Sequence, residues 1–182
     1  MKPDQSEFVF RLAEVGDAQA LSNYYINNAT HLQNSGPTRE PGFDSPDVWR
    51  LRLSSWETQH RERLAAHFVS LNSREEIVAC CNLSNVVFGG FMACHMGYGI
   101  AKAYEGRGLM KSLCLEAIDF AFQDLGLNRI MANYVPSNER SGKLLASLGF
   151  VIEGRAARYL KINGVWQDHV LTSLINPEPV QS

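Results

Sequence analysis

The chain has no excess of one charge: 17 Lys and Arg stand against 19 Asp and Glu, a formal net charge of −2 over 182 residues. This balance argues against a dedicated nucleic-acid binder, which would show a basic stripe or a high isoelectric point. The local clusters Arg50, Arg52, Arg61, Arg63 and Arg155, Arg158, Lys161 read as solvated faces. No run of 18 apolar residues occurs, and residues 1–7 lack the apolar core of a leader. The expectation is therefore a cytoplasmic protein with no membrane partner. Cysteine is scarce, and Cys80, Cys81, Cys94 and Cys114 form no C-x-x-C pair. Buried thiols in a reducing compartment are expected, with no disulfide framework and no metal site. Two nucleotide-binding signatures are also missing. Ser112 and Leu113 occupy the region where a dinucleotide fingerprint needs a third glycine, and no Gly-Lys-Ser/Thr of a P-loop follows.

What is present is an ordinary globular composition, 45% hydrophobic, 20% charged and 10% aromatic, at a length that suits one domain over residues 1–182. Phe8-Val9-Phe10-Arg11-Leu12 reads as a first strand. Asp17 is placed to cap a helix reaching to about His31, with Ala20, Leu21, Tyr24 and Tyr25 as its stripe. Residues 34–46 hold Pro37, Pro41, Pro46, Gly36 and Gly42, a long loop and a candidate lid. A helix follows over about 47–64. Strands at 67–71, 76–87 and 91–100 form an antiparallel meander. A helix over 109–123 then returns to a strand at 129–135, the length of a right-handed parallel crossover. A short helix over 138–147 ends at Gly149. Strands 150–162 and 165–174 close as a hairpin over Asn163-Gly164, a strong turn signal. The sum is one α/β domain of the α+β kind.

The most informative stretch is Glu105-Gly106-Arg107-Gly108-Leu109-Met110, set after Met96-Gly97-Tyr98-Gly99-Ile100 and before an apolar helical stripe. A Gly-x-Gly by itself is an ordinary strand-to-helix turn. Here it opens a helix, whose first N–H groups are unpaired and whose dipole end is positive, and glycine lets a ligand approach the backbone. That is a socket for a pyrophosphate. A second block, Asn133-Tyr134-Val135-Pro136-Ser137-Asn138-Glu139-Arg140-Ser141, follows about one crossover later.

Together these two blocks resemble the acetyl-CoA-binding core of the GCN5-related N-acetyltransferases, known as GNAT proteins. The stretches 91–100, 129–134 and 164–172 look like the branch that acetylates N-terminal amines of ribosomal proteins. The resemblance implies the GNAT fold: a mixed, mostly antiparallel sheet with a central splayed parallel strand pair and flanking helices. It implies acetyl-CoA as cosubstrate, bound by Gly99, Ile100, Gly106, Arg107, Gly108, Leu109, Met110 and Asn138. Asn138 reads also as a plain helix N-cap, and the two roles can coexist. Ser141 is implied beside the thioester sulfur, and Tyr134 near it is the second catalytic candidate. The family pattern is Gln/Arg-x-x-Gly-x-Gly/Ala, so Glu105 and Met110 depart from it. Glu105 is expected to turn to solvent and Met110 to the core, while main-chain donors and the charges of Arg107 and Lys111 serve the phosphates.

The implied reaction is direct attack of a neutral amine on the thioester, with backbone N–H groups near residues 96–98 steadying the oxyanion. An α-amine with pKa near 8 is roughly a fifth neutral at physiological pH, a lysine side chain only about a thousandth. An N-terminal amine therefore needs less help from a base. No carboxylate stands out as that base: where relatives carry a strand glutamate, counted from Glu153-Gly154, this chain has Leu160. His95, Glu153, Tyr134 and Asp168 are the remaining base candidates, and Tyr98 and Tyr159 read as packing residues with a polar tip. The implied acceptor is the N-terminal alanine of the fifth small-subunit ribosomal protein. Two alternatives stay open. One is a small amine drawn by Glu40, Asp44 and Asp47, and the other is a CoA-binding module without turnover. Oligomeric state is not legible.

Overall fold

The computed structural model describes residues 7–33 and 39–178. The described residues form a seven-stranded sheet in the order β1-β2-β3-β4-β5-β7-β6, with helices on both faces. The strands are β1 (Val9–Leu12), β2 (Ala66–Leu71), β3 (Ile77–Val87), β4 (Ala93–Ile100), β5 (Arg129–Met131), β6 (Val151–Ile162) and β7 (Val165–Ile175). The helices are α1 (Ala18–Asn27), α2 (Ala29–Leu32), α3 (Pro46–Arg61), α4 (Leu109–Asp119) and α5 (Glu139–Ser147). Every pairing is antiparallel except that of β4 with β5. This is the mixed sheet with a central parallel pair that the sequence implied.

Alternation puts neighbouring residues of a strand on opposite faces, and Cys80 and Cys81 show it. Cys81 belongs to the core under α4, with Leu83, Leu113, Ala117 and Ile130, whereas Cys80 belongs to the core under α1 and α3, with Leu21, Trp49 and Leu53. Each such fully buried leucine contributes about 1.5–3 kcal/mol of apolar burial. All four cysteines are buried and free. Among the described residues no helix is long and apolar enough to cross a membrane.

Several boundaries differ from the sequence expectation, each for a local reason. Asp17 stands at the N-cap of α1, as expected, but its side chain makes no bond to the helix. A 3-10 turn precedes that helix, and the buried Asp17 carboxylate grips both guanidinium nitrogens of Arg11 at 2.7 Å and accepts the Glu14 N–H at 2.9 Å. The first helix breaks at Asn28, whose side-chain amide donates to the Tyr24 carbonyl at 2.9 Å, a local bond that competes with the helix. α3 starts on Pro46, a position where proline's missing N–H costs nothing, and ends before Arg63, which is left-handed at φ 60°. Of the expected loop 34–46, residues 34–38 lie outside the described residues; 39–45 are turns leading into α3. α4 gives way to a π-turn, Phe120–Asp124.

The difference that matters most is β5, which stops at Met131 rather than at residue 135. Its pairing with β4 covers only residues 93–95. Beyond it the backbone stays bonded to β7 alone, the Ala132 N–H donating to the Thr172 carbonyl at 3.1 Å, and side chains add to those bonds. Thr172 Oγ1 donates to the Ala132 carbonyl, Asn133 Oδ1 accepts the Thr172 N–H at 3.2 Å, and Tyr134 makes one isolated bridge to Val170. β4 runs on to Ile100 without a partner on that side. The sheet opens there.

Candidate active site

A cavity of about 560 Å³ occupies this opening. One wall is Tyr98, Gly99 and Ile100 of β4. The floor is Gly106 and Gly108 with Leu109, Met110 and Lys111 of α4. The opposite wall is Val135, Ser137, Asn138, Arg140, Ser141 and Leu144, and His31 and Leu32 of α2 close the rim.

The register shows where the backbone of β4 points. The Ala101 N–H donates to the Val78 carbonyl, which makes Gly99–Cys80 and Gly97–Asn82 the hydrogen-bonded pairs with β3. The N–H and C=O groups of Tyr98 and Ile100 therefore face the gap that β5 has left. On the floor, Gly108 caps α4 in the left-handed region at φ 78°, ψ −7°, a conformation that costs glycine little. The first intrahelical bond runs from the Ser112 N–H to the Gly108 carbonyl. The N–H groups of Leu109, Met110 and Lys111 stand ahead of it, at the positive end of the helix dipole. Met110 is buried in the core, as expected.

α5 opens on Asn138, whose Oδ1 accepts the Ser141 N–H at 3.2 Å. The cap uses the carbonyl oxygen and leaves the amide NH₂ for other partners. Ser141 Oγ lies 2.6 Å from the phenol oxygen of Tyr98, joining the two walls. Burial pushes the Tyr98 phenol above its ordinary range, so it stays protonated. The sequence alone reads Tyr98 as a packing residue with a polar tip; its partner Ser141 stands 43 residues away, on another element.

Other expected residues sit elsewhere. Tyr134 does not line the cavity; its ring lies on Gly142, where an added Cβ would come within 2.9 Å of the phenol oxygen. Arg107 does not line it either, its guanidinium standing 5.2 Å over the Tyr104 ring. Lys111 donates to the Ser147 carbonyl at 3.0 Å, tying α4 to the end of α5. Glu105 does not turn to solvent. Its carboxylate meets Arg140 at 2.5 Å and His31 at 3.3 Å.

The base candidates are also dispersed. Glu153 is bound by Arg129, which with Ser173 holds its carboxyl below the usual range. Asp168 accepts the Arg158 N–H at 2.8 Å, and Leu160 is exposed on β6. His95 sits at the last position of β4 that pairs with β5, its Nδ1 buried without a partner, and burial lowers its pKa. Asp47 pairs with Arg50 on the exposed side of α3. A smaller cavity of about 300 Å³ adjoins the first through Val135 and Ser137, and is bounded by Ile162, Asn163, Val165 and Gln167 of the hairpin. Among the described residues no group of three or more His, Cys, Asp or Glu is placed to hold a metal ion.

This arrangement has close relatives. The family model described as "Acetyltransferase (GNAT) domain" matches residues 7–151. The [Ribosomal protein uS5]-alanine N-acetyltransferase of Escherichia coli (strain K12) is 42% identical over 171 residues, 93% of this chain and 88% of the relative. The ribosomal-protein-S5-alanine acetyltransferase of Vibrio fischeri, solved to 2.0 Å, superposes with a TM-score of 0.93 at 39% identity, covering 96% of both chains. Mycobacterium smegmatis RimJ in complex with CoA-disulfide superposes with a TM-score of 0.86 at 28% identity, over 96% of this chain and 85% of that one. With the parted strands, the helix N-terminus between them and the family match over most of its length, the chain belongs to the GNAT acetyltransferases.

Proposed function

We propose that this chain, acting as one domain, transfers the acetyl group of acetyl-CoA to the N-terminal α-amine of a protein, the acceptor being a small-subunit ribosomal protein that begins with alanine. The observation that carries this reading is the 42% identity, sustained over 93% of the chain, to an enzyme named for that alanine. The cavity supports it, because its residues suit the cosubstrate. Free N–H groups at the start of α4 match a pyrophosphate. Tyr98 and Ile100 present a strand edge to an amide-bearing arm, and Asn138 offers its NH₂ from across the gap.

Acetyl-CoA supplies an activated acyl group on a thiol leaving group. The residues of the chain do the rest. The β4 edge aligns the thioester, and the Tyr98 N–H steadies charge on its carbonyl oxygen while the amine nitrogen attacks the carbonyl carbon. As the C–S bond breaks, Ser141 donates its hydroxyl proton to the departing sulfur and takes one from the Tyr98 phenol, 2.6 Å away, which takes one in turn from water. The excess proton of the new amide nitrogen passes to water. The smaller cavity beside Val135 and Ser137 gives the acceptor a route in from the hairpin side.

The test is acetyl transfer to peptides starting with Ala, Ser or Met, to spermidine, and to an acetyl-blocked peptide bearing lysine. The alanine peptide should give the highest kcat/KM, and its rate should rise with pH along the ionisation of its own α-amine, near a pKa of about 8. A tenfold advantage for spermidine or for the lysine peptide would replace this acceptor with a small amine. CoA binding without transfer to any acceptor would leave a binding module.

A further inference from the structure

Glu105 stands where the family pattern has Gln or Arg, at the lip of an anion socket, with its side chain only 21% exposed. An unpaired carboxylate there would repel a phosphate a few ångströms away. It is not unpaired. Arg140 reaches it from α5 at 2.5 Å and His31 reaches it from α2 at 3.3 Å, and all three residues line the cavity. Arg140 is 63% exposed, so its guanidinium can move without unpacking anything. Guanidinium binds carboxylate and phosphate through the same planar fork of donors, and the more highly charged phosphate is the stronger partner.

We propose that Glu105 is an internal stand-in for a ligand phosphate: in the free protein it holds Arg140 at the socket, and a phosphate of the coenzyme displaces it and takes Arg140 over. His31 then remains as the partner of the released carboxylate. The proposal rests on the acetyl-CoA reading and adds to it a competitor built into the chain. Glu105 weakens coenzyme binding, and it does so through Arg140.

The test is isothermal titration of the full chain with CoA, dephospho-CoA and pantetheine, for the wild type, Glu105→Gln, Arg140→Gln and the double variant. Glu105→Gln should tighten CoA binding roughly three- to thirtyfold, the size of one charge–charge interaction at a half-exposed site. Arg140→Gln should weaken it, and in that background the gain from Glu105→Gln should shrink to less than half on a logarithmic scale. Pantetheine, which has no phosphate, should bind all four proteins alike. If the gain persists with dephospho-CoA, the displacing group is the pyrophosphate; if it disappears, the group is the 3′-phosphate. Unchanged or weaker CoA binding by Glu105→Gln overturns the proposal, as does a gain that survives Arg140→Gln undiminished. Should Glu105→Gln melt early, Glu105→Ala is held to the same outcomes. A wild type that binds CoA while Glu105→Gln changes nothing removes only the stand-in. A wild type that does not bind CoA removes the acetyl-CoA reading and the proposal together.

Discussion

Tyr98 and Ser141 come from strands and helices 43 residues apart and meet at 2.6 Å across the opened sheet. Two hydroxyls so close can relay a proton, the phenol passing one to the serine as it takes another from water, so that it is never left ionised where burial favours its neutral form. Ser141→Ala should therefore lower kcat by roughly 10- to 1,000-fold while the Kd for CoA changes little, because general acid help is felt in the transition state. Tyr98→Phe keeps the serine and removes only its supply, so its kcat loss should be smaller than that of Ser141→Ala. Steady-state kinetics beside titration separates the two effects. Wild-type turnover in Ser141→Ala would reduce Ser141 to a helix-start residue.

The element that gathers the site is the succession of β4, glycine turn and α4. Replacing Gly108 with Val forces a β-branched residue into φ 78°, which disturbs the cap and crowds the N–H groups behind it. The Kd for CoA should rise by about tenfold or more in a protein that still folds; an unchanged Kd would take the socket away from this turn. This succession was legible in the chain because its determinants are local: glycines ahead of an apolar stripe, Asn138 three residues before Ser141, Asn163-Gly164 between two strands. What was not legible depends on distant groups. The Arg140 and His31 partners of Glu105 come from two other helices, and after Met131 the chain is held to β7 alone, through residues about 40 positions away in sequence. Asp17 shows the same limit, since its side chain went to Arg11, six residues earlier, once both were buried together.

Across the whole molecule, stability carries a signature of buried imidazoles. His67 stacks on Trp56 with ring centroids 3.7 Å apart, shares a hydrogen bond with Asn82 at 3.1 Å, and buries Nε2 without a partner. Burial lowers its pKa to about 4, below the ordinary value near 6.5. Between those values the unfolded chain binds a proton that the folded one refuses, so this contribution is complete above about pH 6.5 and is lost as pH falls toward 4. His95 acts in the same direction. Urea midpoints at pH 7, 5.5 and 4.5 should fall less steeply for His67→Gln than for the wild type, and parallel declines would clear His67 of the effect. The sheet itself divides at the same scale. The strands from β1 to β4 form one antiparallel body and β5 to β7 another, and between them the ladder holds only at residues 93–95. A tension applied between the outer edges, β1 and β6, must cross that short seam, as it must the equally short pairing of β5 with β7. The cavity straddles the seam of β4 with β5, with Gly99 and Ile100 on one bank and Ser137 and Asn138 on the other. Whatever fills the cavity touches both banks, so the loaded enzyme has a splint where the empty one has a crack.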